Sequence, residues 1–183
     1  MRRGPETLIR HRRIDNDIAP FALAERPGGG LCAFWVDGRL ERSLAGVEHD
    51  RGWQSDLAAR LQRYFRGEPV EFGDVPLPDG PAFRRRCWEA CRAVRPGTVT
   101  TYGSLAVAAG VPGAAANGAR AAGQAMRHNP LPVIVPCHRV VAASGRLHGY
   151  AGSTDARGPL LDIKRALLRL EGAIGDGGDG LLF

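Results

Sequence analysis

The stretch Gly73-Asp74-Val75-Pro76-Leu77-Pro78-Asp79-Gly80 limits what this chain can fold into more than any other. Its prolines offer no backbone N–H and its glycines no side chain, so neither a helix nor a central strand runs through it. It reads as a linker. The 183 residues then divide into a domain over 1–78, a second over 79–172, and a flexible glycine- and aspartate-rich tail over 173–183. With 44% hydrophobic residues, two small domains can each bury a core.

Ahead of the linker, the apolar runs Thr7-Leu8-Ile9, Pro20-Phe21-Ala22-Leu23 and Leu31-Cys32-Ala33-Phe34-Trp35-Val36 read as strands. Pro27-Gly28-Gly29-Gly30 and Asp37-Gly38 read as turns. Leu57, Leu61 and Tyr64-Phe65 recur at helical spacing and predict a helix ending near Gly67. This is an N-terminal α/β domain with a small antiparallel sheet.

Beyond the linker the pattern turns helical. Pro81 suits a first helical turn, and Phe83, Cys87, Cys91 and Val94 mark one buried face before Arg95-Pro96-Gly97 stops the helix. A short helix over 101–109, a break at Gly110-Val111-Pro112-Gly113 and an alanine-rich helix over 114–127 together resemble a helix-turn-helix. Ile163, Leu167 and Leu170 predict a last amphipathic helix, ending at Glu171-Gly172. The fold class is therefore α+β, with a mostly helical C-terminal domain.

The net charge of +6 comes almost wholly from arginine, whose planar fork suits phosphate contacts. A genome rich in arginine codons would give the same excess. No apolar stretch has the length of a signal peptide or a membrane span, so a soluble, cytoplasmic protein is expected. The four cysteines lack metal-ligand spacing, and no metal is expected. Cys32 belongs with the buried strand residues, and His11, His49 and His128 with the exposed surface.

The chemistry concentrates at Pro136-Cys137-His138-Arg139, which follows Asn129-Pro130 and the apolar run Val133-Ile134-Val135. An unassisted thiol is mostly protonated near neutral pH, and here a histidine and an arginine follow it directly. The spacing reads as a strand that stops at a positioned nucleophile. A nucleophilic thiol beside a histidine suits a hydrolase as well as a group acceptor.

The wider set of motifs resembles the O6-alkylguanine-DNA alkyltransferases, also called methylated-DNA–protein-cysteine methyltransferases. Pro136-Cys137-His138-Arg139-Val140 matches the core of that family, and Pro96-Gly97-Thr98-Val99-Thr100-Thr101-Tyr102-Gly103 its tyrosine segment. Arg120-Ala121-Ala122-Gly123-Gln124-Ala125-Met126 is similar to its recognition helix, with Asn129-Pro130, Gly149-Tyr150 and the run from Lys164 to Glu171-Gly172 at matching positions. The resemblance implies stoichiometric transfer of a methyl or other alkyl group from guanine O6, and also from thymine O4, to Cys137 after the base is flipped from the duplex. In that scheme Glu171 orients His138, His138 takes the Cys137 proton through water, and Tyr102 assists the leaving purine. Arg120 fills the space the base vacates, and Asn129 ties the turn before the cysteine to the helix. Met126, Tyr150 and Ala151 line the base pocket, and Arg139 and Lys164 are expected among the substrate- or DNA-binding residues. The resemblance further implies double-stranded DNA as partner, a monomer, no cofactor, and a ribonuclease-H-like form for the first domain.

Two departures stand out. About four extra residues fall near Ala114-Ala115-Ala116-Asn117-Gly118, adding roughly one turn to the recognition helix or lengthening the turn before it. After Gly149-Tyr150, the segment Ala151-Gly152-Ser153-Thr154-Asp155-Ala156-Arg157-Gly158-Pro159 is longer than the pattern, and Ala151 has no side-chain donor where Ser153 or Thr154 has one. His148 stands close to this loop without an assigned role. A lesion-sensing DNA-binding protein that transfers nothing, and a cysteine hydrolase, are the competing readings.

Overall fold

The computed structural model describes residues 7–111, 116–147, 149–153 and 158–175. The chain forms two compact units that meet in sequence between Glu71 and Phe72. The 73–80 stretch carries no helix or strand, yet it belongs to the second unit. Val75 is buried there, and its carbonyl accepts a 2.6 Å hydrogen bond from Arg92.

The first unit opens with β1 (Arg10–Ile14), β2 (Phe21–Arg26) and β3 (Gly30–Trp35), continues with α1 (Gly38–Leu44) and β4 (Glu48–His49), and closes with α2 (Ser55–Phe65). The sheet order is β3-β2-β1-β4. β1–β2 and β2–β3 are antiparallel, but β1–β4 is parallel, so the sheet is mixed rather than purely antiparallel. Phe21, Trp35 and Phe65 meet edge to face, with ring centroids 4.8–5.8 Å apart, and fasten α2 to the sheet.

The first strand is not the predicted Thr7-Leu8-Ile9, where Ile9 stays 49% exposed, but the charged run that follows it. Arginines are tolerated there because acids on both flanking segments meet them: Arg10 bonds Glu25 at 2.6 Å and Asp50 at 3.2 Å. His11, expected at the surface, is buried and stacks on His49 at 4.9 Å. Asp37-Gly38 opens α1 instead of a bare turn. The Asp37 carboxylate caps the helix by accepting from the N–H groups of Arg39 and Leu40.

The second unit contains α3 (Ala82–Arg92), β5 (Thr100–Thr101), α4 (Tyr102–Ala108), α5 (Ala116–Arg127), a 3-10 turn (Cys137–Arg139), β6 (Val140–Val141) and α6 (Pro159–Leu170). α3 buries Cys87, Trp88 and Cys91, and the Trp88 indole N–H reaches the Ala125 carbonyl of α5 at 3.0 Å. The Thr101 hydroxyl caps α4 by accepting from the Ser104 N–H. α4 and α5 pack closely because position 118 is glycine: a Cβ there would lie 3.3 Å from Val111 and 3.4 Å from Ala106. The extra residues before Arg120 fall partly at 112–115, outside the described residues.

The predicted strand over Val133-Ile134-Val135 does not form. The segment is a buried turn joined by one bridge, Pro132 to Val135, and Val133 has φ of 74°. The Asn129 carboxamide is the cause: its N–H donates to the Val135 carbonyl at 2.8 Å while its oxygen accepts from the Leu131 N–H at 3.0 Å. Those bonds close the chain on itself and leave no ladder to pair. The pairing falls later, where β6 runs parallel to β5 with Thr100 opposite Val140.

The expected tail over 173–183 begins too early. Ala173 and Ile174 are buried with Val141, Leu147, Leu161 and Leu168, so the packed chain continues past Gly172. Residues 176–183 lie outside the described residues.

Candidate active site

Cys137 opens the 3-10 turn, its N–H bonded to the Val135 carbonyl at 2.8 Å. The turn ends as the chain enters β6, whose pairing with β5 brings the start of α4, and so Tyr102, beside the same cavity. That cavity is about 700 Å³, within the roughly 300–1,000 Å³ of small-molecule sites. Cys137 is the one cysteine among the described residues that lines it. Cys32, buried in the sheet, donates instead to the Ala24 carbonyl.

Behind the sulfur stands a charged cluster with little solvent access. His138 is fully buried, and its Nε2 meets Glu171 Oε1 at 2.9 Å. Arg139 grips the same carboxylate twice, Nε to Oε2 at 2.9 Å and Nη2 to Oε1 at 2.7 Å, and donates to the Val94 carbonyl at 2.5 Å. Burial alone would push the Glu171 carboxyl up, but His138 and Arg139 outweigh it and hold that carboxyl well below its usual range. An ionised Glu171 requires a donor opposite it, so Nε2 carries the imidazole proton and Nδ1 is the basic nitrogen. Burial lowers the His138 pKa, which the Glu171 charge only partly restores, so the ring stays neutral and able to accept a proton.

The thiol itself is not acidic. Burial pushes the Cys137 pKa above its ordinary value, against the Asn129 side chain, the Lys164 charge and the Ala151 backbone N–H. It therefore needs a base to become a thiolate. Burial also raises Cys87 to about 11 and pushes Cys91 well above its ordinary value. The Tyr102 phenol is pushed up to about 12, by burial first and then by the neighbouring Cys137 and Cys91 charges, so it remains a proton donor.

The other sequence-predicted residues divide into two groups. Arg120, Met126, Tyr150 and Ala151 line the cavity, with Arg120 exposed on α5 and Met126 and Tyr150 buried. Tyr150 also stands edge-on to His138 at 6.4 Å. Ala151 has no polar side chain to offer, but its backbone N–H favours the Cys137 thiolate from a left-handed conformation at φ 47°. Asn129 shapes the turn and faces the sulfur.

Arg139 and Lys164 are not at a binding surface. Arg139 is 7% exposed with its donors committed to Glu171 and Val94, and Lys164 is 0% exposed with Nζ on the Val140 carbonyl at 2.7 Å. Burial lowers Lys164 to about 8, partly countered by the Cys137 and Cys91 charges, and its own charge favours the thiolate. Sequence reasoning missed Gln124 and Arg127, which line the cavity with Arg120 and Gly123. Their spacing of three, four and seven residues from Arg120 is one helical face, and that signal was available. Ser153 also lines the cavity, whereas Thr154 and His148 lie outside the described residues.

Among the described residues no group of three or more His, Cys, Asp or Glu is placed to hold a metal, and no helix is long and apolar enough to cross a membrane.

Comparison with known proteins finds similarity along most of the chain. A family model described as 6-O-methylguanine DNA methyltransferase, DNA binding domain, matches residues 82–173. A methylated-DNA–protein-cysteine methyltransferase of Mycolicibacterium paratuberculosis is 39% identical over 160 residues, 86% of this chain and 93% of that protein. The crystal structure of Mycobacterium tuberculosis O6-methylguanine methyltransferase superposes with a TM-score of 0.71 at 38% identity, covering 92% of this chain and 96% of the other. A structure of the Mycobacterium tuberculosis protein in complex with DNA gives 0.71 at 39% identity, covering 90% and 93%.

Proposed function

Because this chain belongs to the methylated-DNA–protein-cysteine methyltransferase family and performs DNA repair, we propose that Cys137 is the acceptor and that each molecule reacts once. The observation that carries this reading is the placement of Cys137 on a cavity wall with the buried His138–Glu171–Arg139 cluster behind it.

The substrate is an O6-alkylated guanine in duplex DNA, with O4-alkylated thymine as a second lesion. The alkyl carbon lies inside the stack, so the nucleotide must turn out into the cavity. The α5 face of Arg120, Gln124 and Arg127 supplies positive charge and side chains for the duplex, and Arg120 occupies the space the base leaves.

In the chemical step the sulfur attacks the alkyl carbon, forming an S–C bond as the C–O bond breaks. The electron pair of that bond stays with the purine oxygen. The thiol proton passes to His138, whose other nitrogen is held by Glu171, and Tyr102 donates to the departing purine. In net terms the proton lost by the sulfur is the proton gained by the purine. The thioether product has no carbonyl for water to attack, so the cysteine is consumed. A single chain serves one lesion and needs no cofactor.

Incubation with a methylated-guanine duplex, followed by intact mass, tests the reading. One added methyl per chain, absent in Cys137→Ser, is expected. Binding with no mass gain would favour the lesion sensor, and repeated turnover the hydrolase.

A further inference from the structure

We propose that Gly97 is a positioning residue for the Cys137–His138–Glu171 relay, an assignment that rests on Cys137 being the alkyl acceptor. Gly97 sits in the turn that follows α3, where the Thr98 N–H and hydroxyl both bond the Arg95 carbonyl, at 3.2 and 2.8 Å. It adopts φ of +76°, and an ideal Cβ there would lie 3.0 Å from the Glu171 carbonyl oxygen. That contact is with backbone, which cannot swing aside as a flexible side chain would.

The far side of Glu171 is fixed as well. Its N–H bonds the Leu167 carbonyl at 3.1 Å, the Gly172 N–H bonds Arg169 at 2.9 Å, and the Ala173 N–H bonds Leu168 at 2.8 Å. Ala173 and Ile174 are buried beyond it. These bonds tie Glu171 to the last turn of α6, and a side chain at 97 presses on the peptide that carries the Glu171 carboxylate. The same turn holds the cluster at a second point, because the Val94 carbonyl accepts from Arg139. Glu171 is thus set from its carbonyl by Gly97 and from its carboxylate by Arg139. A bare Cα at 97 lets both contacts exist together.

Gly172 supplies an internal control. It too has a left-handed backbone, φ +73°, but a Cβ there would meet nothing within 4 Å. Alanine at either position costs backbone strain. Only at 97 does it also press on Glu171.

The test measures single-turnover methyl transfer from a methylated-guanine duplex to Cys137 between pH 6 and 9, alongside urea midpoints, for the wild type, Gly97→Ala, Gly97→Asn and Gly172→Ala. Asparagine tolerates the left-handed region while keeping a Cβ, so Gly97→Asn carries the test if Gly97→Ala folds poorly. Both Gly97 variants should transfer about tenfold more slowly at pH 7, in keeping with a misplacement well under 1 Å. The deficit should narrow at high pH, where the thiol ionises with less help. Gly172→Ala should lose stability yet transfer at the wild-type rate. Wild-type rates in the Gly97 variants, a deficit constant across pH, or an equal slowing in Gly172→Ala would overturn the assignment while leaving Cys137 as acceptor. A wild-type chain that places no methyl on Cys137 overturns both.

Discussion

Arg139 holds both carboxylate oxygens of Glu171, at 2.9 and 2.7 Å, while one of those oxygens also meets His138 at 2.9 Å. Arg139, two residues after Cys137, thus spends its guanidinium on Glu171 and does not line the cavity. Removing one partner of such a buried pair leaves the other charge uncompensated, at roughly 3–5 kcal/mol. Arg139→Met should lose about that much stability in urea titration. Arg139→Lys should not restore it, because an ammonium cannot reproduce the two-pronged contact. Wild-type stability in either variant would contradict this role.

Acid should weaken the fold through the same cluster. The His138 pKa is lowered on folding, so below its ordinary 6.5 the unfolded chain takes up a proton that the folded chain refuses. The Glu171 pKa is also depressed, so the stability it contributes is complete above the ordinary 4.5 and lost as pH falls through the folded value. Both effects have the same sign. The urea midpoint should fall from about pH 6.5 downward, and His138→Gln should flatten the upper part of that decline. A midpoint constant from pH 7 to pH 4 would refute the linkage.

Arg120 is exposed on α5 and lines the cavity, so its contribution should depend on the duplex. Arg120→Ala should slow repair of a methylated duplex far more than reaction with a free O6-alkylated guanine base. If it forms a phosphate contact as well, the slope of log affinity against log salt should fall by about one. Equal losses on duplex and free base would argue against extrusion.

Gly118 permits the close approach of α4 and α5, where a methyl group would crowd Val111 and Ala106. Overpacking of this kind costs about 1–3 kcal/mol. Gly118→Ala should lower the urea midpoint correspondingly and weaken duplex binding, while thiol titration of Cys137 stays near wild type. Unaltered stability would show that the helix pair has slack.

Much of this was legible in the sequence because it depends on spacing. The buried faces of α2 and α3 follow from helical periodicity, whereas α6 buries Leu161, Lys164, Leu167 and Leu168 and leaves Ile163 and Leu170 half-buried. The residues proposed for the chemistry, Cys137, His138, Glu171, Tyr102 and Arg120, came from motif positions; Cys137, Tyr102 and Arg120 line one cavity, and His138 meets Glu171. What failed depended on long-range partners. Arg10-His11-Arg12-Arg13 looks unlike a strand until Glu25 and Asp50 are seen beside it. Val133-Ile134-Val135 looks like a strand until the Asn129 side chain takes the bonds a neighbour would have used. Arg139 and Lys164 have the charge expected of a DNA surface, and only the tertiary fold reveals that both are buried.

The central claim is that Cys137, and no other thiol, receives the alkyl group. Cys32, Cys87 and Cys91 are buried as well, but none of them lines the cavity. Peptide mapping by mass spectrometry after reaction with excess methylated-guanine duplex tests this directly. S-methylcysteine is expected at 137 alone, at one methyl per chain, with no further loss of methylguanine from the DNA. Methyl on Cys91 or Cys87, or methylguanine lost beyond one equivalent, would contradict it.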